Sequence, residues 1–211
     1  MTNTHAILII GAGGHGQVVA DILLAQPGRP EGSLRPIGFL DESSDRRGNH
    51  FFSLPILGSL HDLAMVPHDG VIVAVEHNLL RRQLIDRLLS QGEWVVPAIH
   101  PSALIGTGVT IGAGTVIGPG AVVNTGAGLG RGVIVNSHST IDHHTRIGDF
   151  AHISPGVHLC PHVTVGSGVF IGAGAIVTPW RQIGPWSVVP AGSIVVHDLH
   201  SAPATLPAPA W

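Results

Sequence analysis

The chain contains no lysine, and all ten of its basic residues are arginine. That excludes a P-loop lysine and any lysine Schiff base to pyridoxal phosphate. It holds one cysteine, Cys160, so no internal disulfide can form, which fits a reducing compartment. Lone cysteines are more often inert packing than nucleophiles, and Cys160 is read that way. Charge is scarce as well: 11% of residues are charged against 44% hydrophobic, with a net charge of -3. No basic run occurs, so binding of nucleic acid through phosphate neutralisation is not expected. No stretch of about 18 apolar residues appears, so no membrane span is expected. Ala6 to Ile10 is apolar, but it is too short for a signal-peptide core and no basic segment precedes it. The cytoplasm is the expected location. So few charges imply that much of the chain is buried or packed against copies of itself.

What is present falls into two halves with different patterning. Residues 1-99 read as alternating strands and helices. Ala6 to Ile10 is a buried strand, followed by the turn Gly11-Ala-Gly-Gly-His-Gly16. Gln17 to Ala25 has helical spacing, with Val18, Val19, Ile22 and Leu23 on one side. Ile37 to Leu40 is a second strand ending at Asp41, and Gly70 to Val75 a third. Leu79 to Gln91 is an amphipathic helix with Leu80, Leu84, Ile85 and Leu88 inward, and Glu93 to Ile99 closes with another strand. Such repeats imply a parallel sheet with right-handed crossovers. The length suffices for half of a dinucleotide-binding fold.

From Leu104 the pattern changes. Stepping by six from Ile105 to Val195 meets sixteen positions, and all are aliphatic. A small residue or asparagine usually follows, as in Ile111-Gly112 and Val123-Asn124. Repeats this short signal a β-helix. Six residues make one short strand and a turn, and three such faces close a triangular coil of about eighteen residues. The aliphatic side chain points into the prism, and the glycine after it is read as permitting the tight corner. Residues 100-199 are therefore expected to wind about five coils of a left-handed parallel β-helix, and 200-211 to be a Pro/Ala-rich tail.

Two groups of residues carry candidate chemistry. Gly11, Gly13 and Gly16 complete a G-x-G-x-x-G pattern between a strand and a helix, where backbone amides can approach phosphate. The same glycines also serve strand-helix packing, and Asp41 is either a ribose or sugar hydroxyl partner or a plain turn residue. The second half carries His138, His143, His144, His152, His158 and His162. Asp142 and His143 directly follow inward Ile141, so they occupy a corner and face outward. A histidine there, titrating near neutrality, can act as a general base. An adjacent acid can hold its tautomer. Surface histidines in a histidine-rich chain remain the plainer reading.

The whole arrangement resembles the bacterial sugar acetyltransferase family. That family includes sialic acid O-acetyltransferases and N-acetyltransferases of nucleotide-linked amino sugars. The resemblance spans about residues 5-196 and rests on Gly13-Gly-His-Gly16, His100-Pro-Ser-Ala103 and the unbroken repeat. Its most telling segment is Asn136-Ser-His-Ser-Thr-Ile-Asp-His-His-Thr-Arg-Ile-Gly-Asp-Phe-Ala-His-Ile-Ser-Pro-Gly156. The resemblance implies a homotrimer using acetyl-CoA, with no metal. His143 would be the general base for direct transfer, and Asp142 would orient it. His152 and Asn136 would lie near acetyl-CoA, whose pantetheine arm would run near Gly172, Ala173, Ala191 and Gly192 between two subunits. Gly11, Gly13, His15, Gly16 and Asp41 would line a nucleotide-sugar pocket, with Asn78 and Arg81 from Val75-Glu-His-Asn-Leu-Leu-Arg81.

Three features depart from that family. His144 stands where relatives often have glutamate. Pro161 replaces a usual glycine, and proline has no N–H to polarise a thioester carbonyl. The tail lacks the usual Gly-x-Pro-Ala-Lys ending. Two other readings stay open. One is a zinc enzyme like the γ-class carbonic anhydrases, although His138 and His144, six apart, fall on adjacent faces and chelate poorly within one chain. The other is a catalytically silent binding module.

Overall fold

The computed structural model describes residues 4–26, 32–46 and 48–200. The Ala202 to Trp211 tail and Arg47 lie outside the described residues.

Strand β1 (His5–Ile10) alternates its side chains between two faces, and both are buried. Ile7 and Ile9 meet helix α1 (Gly14–Leu24) through Val19, Ile22 and Leu23. Leu8 and Ile10 meet helix α2 (Asn78–Ser90) through Ile85 and Leu88. Period-two alternation with apolar residues on both faces is the mark of a covered parallel sheet. The sheet also contains β2 (Leu34–Leu40), β3 (His50–Phe51), β4 (Leu54–Gly58) and β5 (Gly70–Val73). Its order is β3-β4-β2-β1-β5, parallel except for the β3/β4 hairpin at the edge. That hairpin carries no strong alternation in the sequence, and the sequence reading left it out.

Three details differ from the sequence reading. Val18 and Leu80, expected inward, are 41% and 43% exposed, while Arg81 is buried in their stead. Residues 93–99 do not close the sheet. Val95 makes a single bridge to Val71, and Ala98–Ile99 pairs instead with Val116–Ile117, so it opens the second unit.

That unit is a parallel β-helix of two-residue strands recurring every six residues, from Ala98–Ile99 to Ile194–Val195 among the described residues. Each strand pairs with the one eighteen residues on, as Val122↔Thr140 and Thr140↔His158 show. Three flat sheets result. Fourteen of the sixteen aliphatic positions are buried; Ile105 and Ile111, at the open first coil, are not fully covered. A second interior position recurs two residues earlier and takes small residues such as Ala121, Val133, Ser139, Thr145 and Ala151. The buried hydroxyls are satisfied: Ser139 Oγ donates to the Ser154 carbonyl and Thr145 Oγ1 to the Cys160 carbonyl.

The corners correct one expectation. The glycine directly after the inward aliphatic does not supply the left-handed turn. It is needed because the next coil passes too close: a Cβ on Gly106 would lie 2.6 Å from the Thr125 amide nitrogen. The left-handed residue comes third after the aliphatic. It is glycine at Gly108 and Gly126, but histidine at His138, His144 and His162.

The two units meet along the face formed by Ala98, Val116 and Ile134 and along the corner holding Gly132 and Phe150. Arg81 fastens that contact and is fully buried. Among the described residues, no helix is long and apolar enough to cross a membrane.

Candidate active site

The strand Thr140–Ile141 delivers Asp142, His143 and His144 to an outer corner of the β-helix. Asp142 Oδ1 accepts from the His143 amide at 2.7 Å and from Asn124 Nδ2, one coil earlier, at 2.9 Å. Partial burial would raise the Asp142 carboxyl, but those two donors and the nearby His143 ring outweigh it and hold the group below its ordinary value. The acid therefore stays ionised and braces the backbone that carries His143. It does not bond the His143 ring. The ring partner is His144, whose Nδ1 lies 3.0 Å from His143 Nδ1, so one ring donates its N–H to the other. His162, one coil on, completes the group. It meets His143 edge-on and stacks between His144 and Trp180. Desolvation, with the charges of His143 and His144, keeps the His162 ring below its ordinary value. Cys160, half-buried on the same corner, is pushed up by burial and by Asp142, which favours the thiol over the nucleophilic thiolate.

Pro161 lies one coil from His143. The amides on either side of it are already used: that of Cys160 donates to the Val177 carbonyl and that of His162 to the His143 carbonyl. This corner offers no free amide between 160 and 162 to a developing oxyanion.

Asn136, Gly172, Ala173, Ala191 and Gly192 lie on the preceding corner, across the sheet face that ends at His143. Asn136 Oδ1 is engaged locally, accepting from the Ser137 amide at 2.8 Å. Within one chain they form a column separate from His143. His138 belongs to that column and His144 to the other, so those two do not converge.

The glycine-rich turn leads into α1 with no side-chain cap and no acid in the first turn. Its first amides are therefore unfilled donors beside the positive end of the helix. A Cβ on Gly16 would overlap the Gly11 carbonyl oxygen, so Gly16 is needed for the turn itself. Gly14 faces open space and Gly13 meets only Arg46 Nη1, 3.7 Å from where its Cβ would be. Room for a ligand is thus at Gly13 and Gly14. Asp41 is a brace: its carboxylate accepts from the amides of Ala12 (2.7 Å) and Ser43 (2.9 Å) and from Arg46 Nη1 (3.0 Å). Burial would raise it, but these three donors win and hold it below the usual carboxylate range. Arg46, half-exposed beside the helix N-terminus, is the cation here. The sequence places it only within a segment, residues 41 to 60, expected to shape the sugar pocket, and assigns it no role.

His15 and His152 are buried where the two units meet. Burial first, then Arg81, lowers His15 to about 4. Burial, Arg81 and His15 lower His152 to about 3, against a hydrogen bond to the Glu76 carbonyl. Both rings are neutral at physiological pH, and His15 Nε2 and His152 Nδ1 have no partner. Arg81 corrects an expectation. All five of its donors are spent, on the carbonyls of Gly132, Val75, Glu76 and Phe150 and on Asn78 Oδ1. Asn78 in turn donates to the Gly168 and Val169 carbonyls. The pair clamps the two units together and has no free donor for a sugar.

Comparison with known proteins agrees with this layout. Residues 6–88 match the PglD N-terminal domain and residues 144–179 the bacterial transferase hexapeptide (six repeats). The acetyltransferase domain of PglB from Neisseria gonorrhoeae, in complex with acetyl coenzyme A, is 34% identical. That match covers 93% of each chain with a TM-score of 0.85. The chain belongs to the bacterial sugar acetyltransferase family. PerB from Caulobacter crescentus, in complex with CoA and GDP-perosamine, is 31% identical over 93% of this chain and 91% of that one, with a TM-score of 0.84. WeeI from Acinetobacter baumannii, 22% identical with a TM-score of 0.54 over 91% of this chain and 96% of that one, shares the fold. No curated protein sequence matches. The hexapeptide match begins at His144 and so leaves His143 just outside it.

Proposed function

We propose that the protein transfers the acetyl group of acetyl-CoA to the amine of a nucleotide-linked amino sugar, with His143 as general base. The observation that carries this is the braced His143 corner in a chain that is 34% identical to an acetyltransferase domain crystallised with acetyl coenzyme A. The second relative, crystallised with CoA and GDP-perosamine, supports an amino-sugar acceptor.

The sugar nitrogen attacks the thioester carbonyl carbon while a ring nitrogen of His143 takes its proton. The C–N bond forms, the tetrahedral intermediate collapses, and the C–S bond breaks. The thiolate of CoA then takes the proton from His143. Asp142 acts through the backbone, by fixing the corner, and His144 positions the ring by its Nδ1 contact. The diphosphate of the acceptor rests on the first amides of α1 at Gly13 and Gly14, with Arg46 as countercharge.

The functional unit is a homotrimer. The outer column of the sheet beside His143 includes Leu104 and Ile194, 66% and 64% exposed, with half-buried Val122 and Ile176 and, between them, Thr140 bonded to His158. A largely apolar sheet face with a polar centre of this kind supports an interface. A neighbour seated there brings its Asn136–Gly192 column toward His143, which joins the two halves of the acetyl-CoA site. The trimer acts in the cytoplasm, where acetyl-CoA is made.

The test is thiol release. Protein incubated with acetyl-CoA and GDP-, UDP- or dTDP-linked amino sugars should release CoA in a saturable, acceptor-dependent way. No release above the hydrolysis background with any acceptor would overturn the reading.

A further inference from the structure

We propose that His143, His144 and His162 form a binding site for a divalent first-row transition metal, zinc foremost, and that its occupation silences the transferase. The three imidazoles form a near-equilateral triangle, with ring centres 5.3 Å, 5.2 Å and 5.2 Å apart. Each offers a ligand nitrogen, and those nitrogens all lie within 4.8 Å of one another. Among the described residues no other group of three histidine, cysteine or acidic side chains converges in this way.

The chemistry of the donor set selects the metal. Three neutral imidazoles suit zinc, copper and nickel and do not suit magnesium or calcium, which want oxygen. Zinc holds histidine nitrogen at about 2.0–2.1 Å, so tetrahedral ligands stand roughly 3.3 Å apart. His143 Nδ1 and His144 Nδ1 are already 3.0 Å apart. The separations to His162, at most 4.8 Å, must shrink by up to roughly 1.5 Å, and its ring must turn out of its 15° stack on His144, which torsions about χ1 and χ2 of rings on an outer corner can supply. The metal would replace the single proton that the two Nδ1 atoms now share. Three protein ligands leave one coordination position open for water.

The backbone prepares the set. His144 and His162 hold φ of 59° and 60°, one coil apart in the column where Gly108 and Gly126 are also left-handed. The hydrogen bond from the His162 amide to the His143 carbonyl ties the two coils at this point. Trp180 stacks on the far side of His162 at 3.9 Å and limits its swing away from the others. Asp142 and Asn124 fix the segment from which His143 and His144 project.

Metal binding stands on the geometry alone. Its inhibitory effect rests on the assignment of His143 as general base, since with Nδ1 on the metal the neutral ring carries its proton on Nε2 and has no lone pair left for the acceptor's proton. The experiment separates the two. Tag-free protein, stripped with EDTA and dialysed, is titrated with zinc chloride by calorimetry. One zinc per chain is expected, unaffected by millimolar magnesium. His162→Asn, in which asparagine tolerates the left-handed backbone, should bind zinc at least 30-fold more weakly. In parallel, CoA release by the wild type should fall more than tenfold in saturating zinc and recover with EDTA. His162→Asn, whatever its own metal-free turnover, should retain that turnover at the same zinc concentration. Absence of stoichiometric binding, or equal binding by His162→Asn, would overturn the site. Binding without loss of turnover would overturn the inhibition. If no acceptor is ever acetylated, the calorimetric arm still decides the site.

Discussion

The chain uses histidine in two opposite settings. His15 and His152 are sealed at the junction of the two units, beside a buried arginine, and lose their charge to burial. His143, His144 and His162 stand on an outer corner within reach of solvent and one another. The same side chain is sealed and uncharged in the first place and, on our proposal, a base or ligand in the second. Burial decides which. Desolvation holds the junction rings neutral throughout the physiological range. The corner rings keep lone pairs and access.

The strongest break of this contrast is chemical. His143→Ala should lower acceptor-dependent CoA release by two or more orders of magnitude, the usual scale for a general base. Its melting temperature should stay within a degree or two of wild type. His152→Gln should do the reverse, changing stability more than the chemical step.

The next effect is structural. Arg81→Ala deletes five hydrogen bonds and orphans three carbonyls at the junction, those of Gly132, Val75 and Phe150, while Glu76 keeps its bond from His152. A loss of about 3–5 kcal/mol is expected, as for breaking a buried charged network. Denaturant unfolding should then show the first unit melting ahead of the β-helix.

A smaller effect follows from pH. The folded values of His15 and His152, about 4 and about 3, lie below the ordinary 6.5. Between those limits the unfolded chain binds protons that the native chain refuses, so stability rises with pH. Their contribution is complete above about pH 6.5 and is lost as pH falls toward 4. Melting temperature followed from pH 7.5 to 4.5 should fall, and His15→Gln or His152→Gln should flatten the slope. An unchanged slope in both variants would mean that other groups govern it.

The smallest effect concerns a histidine in neither group. His138 is exposed and left-handed, with φ of 56°. His138→Gly should relieve that backbone and stabilise the protein by up to about 1 kcal/mol. Zinc affinity at the His143 corner should not move.

Much of this was legible in residue order. Sixteen aliphatics in phase identified the β-helix, because a two-residue strand has room for one large inward side chain. The apolar run Ala6 to Ile10 identified a buried strand, and the strand-helix repeats around it a parallel sheet. The same phase put Asp142 and His143 on an outer corner. The role of Arg81 was not legible: an arginine on an amphipathic helix looks solvated until the β-helix supplies the carbonyls of Gly132 and Phe150 to receive it. Nor was the part of His162, which shares no local pattern with His143. It joins that residue only because one coil takes eighteen residues and both corners stack.

By itself, then, the sequence determined which side chains leave water, since burial preference and periodicity are local properties of consecutive residues. Tertiary structure decided which polar side chains meet. That depends on the stacking of coils and on how the first unit rests on the β-helix, and no short stretch of sequence encodes either. The corner of three histidines and the clamp of Arg81 are both products of that second level.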